Sequence, residues 1–290
     1  MNYLLTGATG FIGKHILLEL IKKDKVIVIS RRSRPKNIQY IQNIIWIKND
    51  LAKKKFIFKN KIKIDCIIHC LGNHSDKDEK NLLFANELSL INLIKSIKNN
   101  FKKLIYISSH TIYGNVNKVN ISEKTKKLNI LTPYACSKIN SENWIKLYAK
   151  IYQNKSISIL RFPGFIEGKG LIGYILNQAK NNKTIKLYDS GNIKRDYLNI
   201  GNALNCISNT IKNSKKGINF YNIGSGSKVT TFKLANIIVK NMKSKSRIVR
   251  ASKKGDLGNF FFDISKAKKL LNYRPVKLEK IILDYLNKEI

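Results

Sequence analysis

Tyr134 and Lys138 stand four residues apart in the run Thr132-Pro133-Tyr134-Ala135-Cys136-Ser137-Lys138, and on a helix that spacing puts a phenol and an ammonium on one face. The run reads as a helix start, with threonine as the cap, proline at the first helical position and tyrosine in the first turn. A phenol ionises near ~10, so releasing its proton at neutral pH takes about 3 pH units, or ~4 kcal/mol. A lysine charge about 4 Å away supplies at most that order at an effective dielectric of ~20, and the helix amino terminus adds to it. Such a tyrosine can pass a proton to or from a hydroxyl or a carbonyl. An isolated pair of this kind reads more simply as a surface pair on an amphipathic helix. Upstream, however, the apolar run Leu104-Ile105-Tyr106-Ile107 ends in Ser108-Ser109-His110-Thr111, and Ser109 is suited to hydrogen-bond the oxygen that Tyr134 protonates.

A second constellation opens the chain. Gly7, Gly10 and Gly13 in Thr6-Gly7-Ala8-Thr9-Gly10-Phe11-Ile12-Gly13 follow the apolar Tyr3-Leu4-Leu5 and run into an amphipathic stretch. In that context the three glycines serve a tight turn, a close backbone approach to a pyrophosphate and close helix packing, with the helix amino terminus facing the phosphates. The plainer alternative is an ordinary glycine-rich strand-to-helix turn.

The elements that must position these residues follow from periodicity. Short β-branched runs at Tyr3 to Leu5, Val26 to Ile29, Ile44 to Ile47, Cys66 to Ile68, Leu104 to Ile107 and Ile157 to Leu160 read as buried parallel strands. Helices are predicted at Phe11 to Lys23, Asn81 to Asn99 and Pro133 to Tyr152. This predicts an α/β fold: a doubly wound parallel (Rossmann) sheet, with ligands at the carboxyl ends of its strands. From Gly164 the pattern loosens, with Gly164, Gly168, Gly170 and Gly173 close together. The expected division is a dinucleotide-binding domain over 1–164, with 197–223 returning to it, and a smaller C-terminal substrate-binding lobe over 165–290.

Composition sets the class. The 290 residues suffice for a full core, and 55 Lys+Arg against 18 Asp+Glu give a formal charge of +37. The lysines are scattered through every segment, with no arginine-rich arm or basic helix. Specific nucleic-acid binding is therefore not expected, whereas weak adhesion to polyanions and attraction of an anionic substrate are. Residue 1 already belongs to the first strand and no apolar run approaches a membrane span, so the expectation is a cytoplasmic protein without a leader or membrane partner. Cys66, Cys70, Cys136 and Cys206 form no C-x-x-C pair. Cys66, His69 and Cys70 alternate along a strand and do not converge on a metal, so no metal is expected. Trp144 and Tyr148, four apart on the tyrosine-lysine helix, read as packing or helix-interface residues.

In combination these motifs resemble the extended short-chain dehydrogenase/reductases of the NAD-dependent epimerase/dehydratase family, many of which act on nucleotide sugars. The resemblance covers almost the whole length: the glycine loop, Asp50-Leu51, the N-x-x-x-x-x-N-L pattern from Asn86 to Leu93, Ser108-Ser109 with Tyr113-Gly114, Tyr134-x-x-x-Lys138, Arg161-Phe162-Pro163, Arg195-Asp196-Tyr197, Tyr221 to Gly226 and Tyr273-Arg274-Pro275. It implies Tyr134 as general acid/base, Lys138 as its partner and ribose ligand, and Ser109 as the third catalytic residue. It further implies Gly7, Gly10 and Gly13 as the pyrophosphate loop with backbone amides of Phe11 and Ile12, Asp50 and Leu51 at the adenine, and Arg195 facing a substrate diphosphate. For Arg195 a structural salt bridge with a neighbouring acid is the alternative. Dimerisation through the tyrosine-lysine helix is also implied.

Departures from the family pattern refine the reading. Ser30-Arg31-Arg32 follow the second strand where NAD-type members carry an acid; arginine there can pair with a 2′-phosphate, which favours NADP(H) over NAD(H), while solvent exposure is the plainer account. His110-Thr111 stand where the dehydratase subgroup has an acidic pair, so sugar 4,6-dehydration is not expected, and His110 is a candidate second acid/base or a loop-ordering residue. Gly164 replaces a substrate-contacting asparagine. The expected function is oxidoreduction or epimerisation of a nucleotide-linked sugar, by 4-keto reduction or inversion through a transient ketone. The alternative is a catalytically lapsed cofactor sensor or RNA-associated member of the same superfamily.

Overall fold

The computed structural model describes residues 1–53, 56–58, 62–74, 78–114, 118–126, 132–168, 170–253 and 258–289. In chain order they form β1 (Asn2–Thr6), α1 (Phe11–Leu20), β2 (Lys25–Ser30), β3 (Ile44–Lys48), β4 (Ile64–His69), α2 (Glu79–Leu82), a π-helical segment (Leu83–Leu88), α3 (Ser89–Ile97), β5 (Phe101–Ser109), β6 (Lys118–Ile121), α4 (Pro133–Ile151), β7 (Ser156–Phe162) and β8 (Gly164–Phe165). There follow α5 (Leu171–Lys180), β9 (Ile185–Leu187), β10 (Tyr197–Leu198), α6 (Ile200–Asn213), β11 (Gly217–Asn222), α7 (Thr231–Asn241), β12 (Ile248–Arg250), β13 (Phe260–Phe262), α8 (Ser265–Leu271) and α9 (Leu278–Glu289).

Seven strands make one sheet in the order β11-β7-β5-β4-β1-β2-β3. The pairs β1–β2, β2–β3, β1–β4 and β4–β5 are parallel. The chain winds outward in both directions from β1, which places the topological switch point between β1 and β4. Their carboxyl ends carry Thr6 and His69, so the glycine loop and the residues after β4 open on the same edge. Both faces of the strands are covered, as aliphatic runs without alternation require; Leu4, Ile67, Leu104, Ile145 and Ile159 share one buried cluster.

Helix ends differ from the sequence reading for local reasons. α1 stops at Leu20 instead of Lys23, because β2 begins at Lys25 with its N–H on Met1 O at 3.1 Å, and the chain must turn in between. The helix expected from Asn81 starts at Glu79, where the Asp78 carboxylate accepts the Lys80 N–H at 2.9 Å. It widens into π geometry across Leu83–Leu88, and ends at Ile97, followed by Lys98 at φ +51°. α4 begins as expected, with Thr132 Oγ accepting the Ala135 N–H at 3.1 Å.

The chain divides into two compact units. The first comprises the described residues of 1–112, 130–161 and 207–221; the second, those of 113–129, 162–206 and 222–290. The second is built on the two-stranded pairings β8–β10, β9–β12 and β6–β13, with a core that includes Ile175, Leu187, Leu234, Ile238 and Ile281. Among the described residues no helix is long and apolar enough to cross a membrane.

Candidate active site

The glycine loop is shaped by backbone contacts that exclude side chains. Gly7 adopts φ +72°, a conformation that only glycine takes readily, and a Cβ there would come within 2.7 Å of the backbone of Cys70 and Leu71. A Cβ on Gly13 would lie 2.1 Å from Gly7 O, and Gly10 N–H donates to that same oxygen at 2.9 Å. α1 therefore starts flush against the end of β1, and no side chain caps it at Gly10. Ten residues of helix pointing uncapped first-turn amides across a glycine cradle fit a pyrophosphate. Asp50 Oδ1 accepts the Ala52 N–H at 3.1 Å, and Leu51 is buried with its carbonyl accepting from Asn92 Nδ2 at 2.8 Å.

Tyr134, Lys138 and Ser109 come together where α4 crosses the end of β5. Ser109 Oγ accepts from Thr111 N at 3.2 Å and from Thr111 Oγ1 at 3.1 Å, which leaves its own proton to turn toward the Tyr134 hydroxyl beside it. Ser109 favours the phenolate, yet burial dominates and holds the Tyr134 phenol above its ordinary value. Lys138 is buried on the same face. Its Nζ donates to Ile107 O at 2.9 Å and to the Tyr106 hydroxyl at 3.2 Å, and lies 6.0 Å from the centroid of the Tyr134 ring. Burial pulls the ammonium down to about 8, against the opposing pull of Cys70 and Glu142. Beside the Tyr134 phenol, then, stand the Ser109 hydroxyl and an ammonium anchored to β5.

One turn beyond Lys138, Glu142 is fully buried. Its Oε1 accepts from Ser108 Oγ at 2.8 Å and from Arg161 Nε at 3.0 Å, and Oε2 accepts from Arg161 Nη2 at 2.8 Å. A bidentate, desolvated pair of this kind fixes α4 to β5 and β7 at once, which sets the distance from Tyr134 to Ser109. Asn86, in the π-helical segment, holds the loop after β4: its Oδ1 accepts from Asn73 N at 2.7 Å, and its Nδ2 donates to Asn73 O at 3.0 Å and to Ser137 Oγ at 2.8 Å. On that loop His74 meets the Tyr134 ring edge-on, centroids 6.4 Å apart.

Sequence reasoning assigned no role to Glu142, Tyr106 or His74. The first stands eight residues after Tyr134 and four after Lys138, a helix-face signal that was available; the others are brought in by tertiary contacts. His69 belongs to the core, with Nδ1 at 2.9 Å from Thr6 Oγ1, and burial lowers it to about 3. Arg31 and Arg32 are exposed after β2, and Arg32 N–H donates to Ser30 Oγ at 3.1 Å. His110 is half-buried beside Ser109.

Arg195 and Gly164 belong to the second unit. Arg195 Nη1 donates to Gly258 O at 3.1 Å, and its guanidinium lies 5.8 Å from the Phe260 ring centroid. The Tyr197 hydroxyl lies beside it. Its acidic neighbour Asp196 turns instead to Ser225 and to backbone N–H groups. A Cβ on Gly164 would meet only Tyr197 ring carbons at 3.7 Å, an ordinary contact, so packing within this unit does not demand glycine.

A doubly wound sheet with a glycine cradle at its switch point and a serine, tyrosine and lysine beside the adjacent strand end defines a dinucleotide-binding protein of the dehydrogenase type. The NAD dependent epimerase/dehydratase family model matches residues 3–224, and the chain belongs to that family. It is 29% identical to UDP-glucose 4-epimerase of Yersinia enterocolitica over 263 residues, covering 78% of each chain. It is 27% identical to dTDP-4-dehydro-6-deoxyglucose reductase of Escherichia coli over 314 residues, covering 99% of this chain and 96% of the relative. The crystal structure of UDP-glucuronic acid 4-epimerase from Bacillus cereus in complex with NAD superposes with a TM-score of 0.80 at 23% identity, over 100% of this chain and 99% of that one. That likeness establishes the shared fold.

Proposed function

We propose that this chain is an NAD(P)-dependent epimerase or reductase of a nucleotide-linked sugar, acting by 4-keto reduction or by inversion through a transient ketone. The observation that carries the reading is the meeting of Ser109, Tyr134 and Lys138 at the end of β5, on the sheet edge where the glycine loop opens. The names of the relatives, an epimerase and a reductase of nucleotide sugars, support the substrate class. Bound at the glycine loop, a nicotinamide dinucleotide supplies hydride exchange with a sugar carbon. Tyr134 gives a proton to, or takes it from, the oxygen on that carbon; Ser109 holds the same oxygen; Lys138 contributes its remaining N–H and its charge. His110, Gly164 and Arg195 complete the proposed substrate contacts, the last toward the diphosphate.

The finer assignments belong to the same proposal. Exposed Arg31 and Arg32, with no carboxylate at residues 30–32, favour NADP(H) over NAD(H). The first unit takes the cofactor and the second the substrate. Trp144, Leu147 and Ile151 on α4 are 37%, 47% and 58% exposed and fall at i, i+3 and i+7, an apolar stripe suited to a second copy of α4 in a homodimer.

Turnover of a panel of nucleotide sugars and their 4-keto forms tests the reading. Stoichiometric loss of NADPH identifies the reductase; inversion without net cofactor consumption identifies the epimerase. Tyr134→Phe lowers either rate by about 10²- to 10⁴-fold. Tight cofactor binding with no turnover of any panel member would favour the lapsed sensor instead.

A further inference from the structure

Thr6, His69 and Tyr106 lie in one row across β1, β4 and β5, where Thr6 pairs with His69 and His69 with Tyr106. Thr6 Oγ1 is 2.9 Å from His69 Nδ1, and the imidazole stacks on the Tyr106 ring at 5.8 Å and 18°. The row starts at the residue that precedes the glycine loop and ends at Lys138, whose Nζ is 3.2 Å from the Tyr106 oxygen and 4.8 Å from its ring centroid. Tyr106 has no exposed surface.

The donors form a directed series. An ammonium has only donors, so the Tyr106 oxygen accepts from Lys138 and its own proton must go elsewhere. The side chain beside its hydroxyl that has an oxygen to accept it is Ser141. Ser141 Oγ in turn donates to Ser137 O at 2.8 Å or Asn86 O at 3.1 Å. With the Ser141 proton on either carbonyl, its oxygen is left to accept from Tyr106, which keeps a Tyr106 lone pair on Lys138. With Ile107 O as the second acceptor, two of the three ammonium donors are held by β5.

We propose that Tyr106 is a positioning residue for Lys138: its hydroxyl, oriented by Ser141 and braced by the Thr6-His69 row, holds the lysine charged and aimed beside Tyr134. The consequence for turnover rests on the function proposed above; the hold on Lys138 does not. Besides Tyr106, the titratable groups facing this ammonium are His69 and Cys70 from the end of β4, and Glu142 and Tyr134 from α4. Burial has already drawn Lys138 down to about 8, so loss of one acceptor is readable near neutral pH.

Tyr106→Phe removes one oxygen and keeps the stacked ring. In lysine-labelled protein without substrate, the NMR titration of Lys138, assigned by its loss in Lys138→Met, is expected to fall by about one pH unit in Tyr106→Phe. In turnover the alkaline limb of kcat moves down by the same amount, with kcat near pH 6 within about twofold of wild type and KM unchanged. A Lys138 midpoint that stays in place overturns the proposal whatever the rates do. A shifted midpoint in a protein that turns over nothing upholds the hold on Lys138 and counts against the enzymatic reading alone. Should Tyr106→Phe fail to fold, Ser141→Ala, which frees the Tyr106 hydroxyl to rotate, is expected to lower the midpoint less, in the same direction; an unchanged midpoint there also overturns the proposal.

Discussion

Each unit buries an acid, and the two are compensated by different means. Glu142 in the first unit meets a guanidinium bidentately and one hydroxyl. Asp196 in the second meets no cation among the described residues: Oδ1 accepts from Tyr197 N at 2.9 Å, Ser225 N at 2.9 Å and Ser225 Oγ at 2.6 Å, while Oδ2 is 3.4 Å from Phe262 N. Neutral donors do not repay desolvation in full, and burial raises Asp196 to about 6. The side-chain pair fixes one helix against two strands. The other carboxyl ties the start of β10 to Ser225 and to the end of β13.

The largest expected effect is at Glu142. Glu142→Leu leaves the Arg161 guanidinium buried without its partner and is expected to cost about 3–5 kcal/mol in denaturant unfolding, whereas adding Arg161→Met returns most of it. If the double variant is no better than the single, the pair is not the reason for the loss.

Next come two glycines that let an oxygen rest against the backbone. A Cβ at Gly224 would lie 2.0 Å from Asp196 Oδ2, and one at Gly13 would lie 2.1 Å from Gly7 O. Both alanine variants are expected to lose about 1–3 kcal/mol of stability. Gly13→Ala alone should also weaken NADPH binding, measured by fluorescence titration, because it displaces the cradle; Gly224→Ala should leave that binding intact. Equal loss of binding in the two would erase the contrast.

The smallest effect is at Asp196, and its sign distinguishes it. The folded-state value lies above the unfolded one, so its contribution is full below ~3.9 and is lost as pH rises through about 6. Asp196→Asn cannot ionise, and its penalty, about 1–2 kcal/mol at pH 4, should shrink as pH rises to 7. His69 moves stability the opposite way, being lowered to about 3, so that its share is present above ~6.5 and lost on acidification. It is common to both proteins and cancels in the difference. A penalty that grows toward pH 7 would mean that Asp196 is held ionised.

Much of the first unit was legible because its signals are local. β-branched runs gave the strands of the sheet from β1 to β7, Thr132-Pro133 gave the start of α4, and the glycine spacing gave the loop, since caps and φ > 0 turns depend on residues within a few positions. The π-helical segment was not legible: an extra residue in a turn leaves little trace in a pattern read at 3.6. Nor were β6 and β8 to β13, several of which are only two or three residues long, too short for periodicity to register.

The sequence by itself determined which chemical groups exist and on which element each rides: a phenol and an ammonium on one helix face, a serine at a strand end, glycines where no Cβ fits. Only the tertiary structure decided their electrostatics. Whether Lys138 faces Tyr134 alone or is anchored on Ile107 and Tyr106, and whether a buried acid finds a cation or neutral donors, depends on residues far apart in sequence. Desolvation and hydrogen bonding are set by what surrounds a group in space, and a linear pattern carries no record of that.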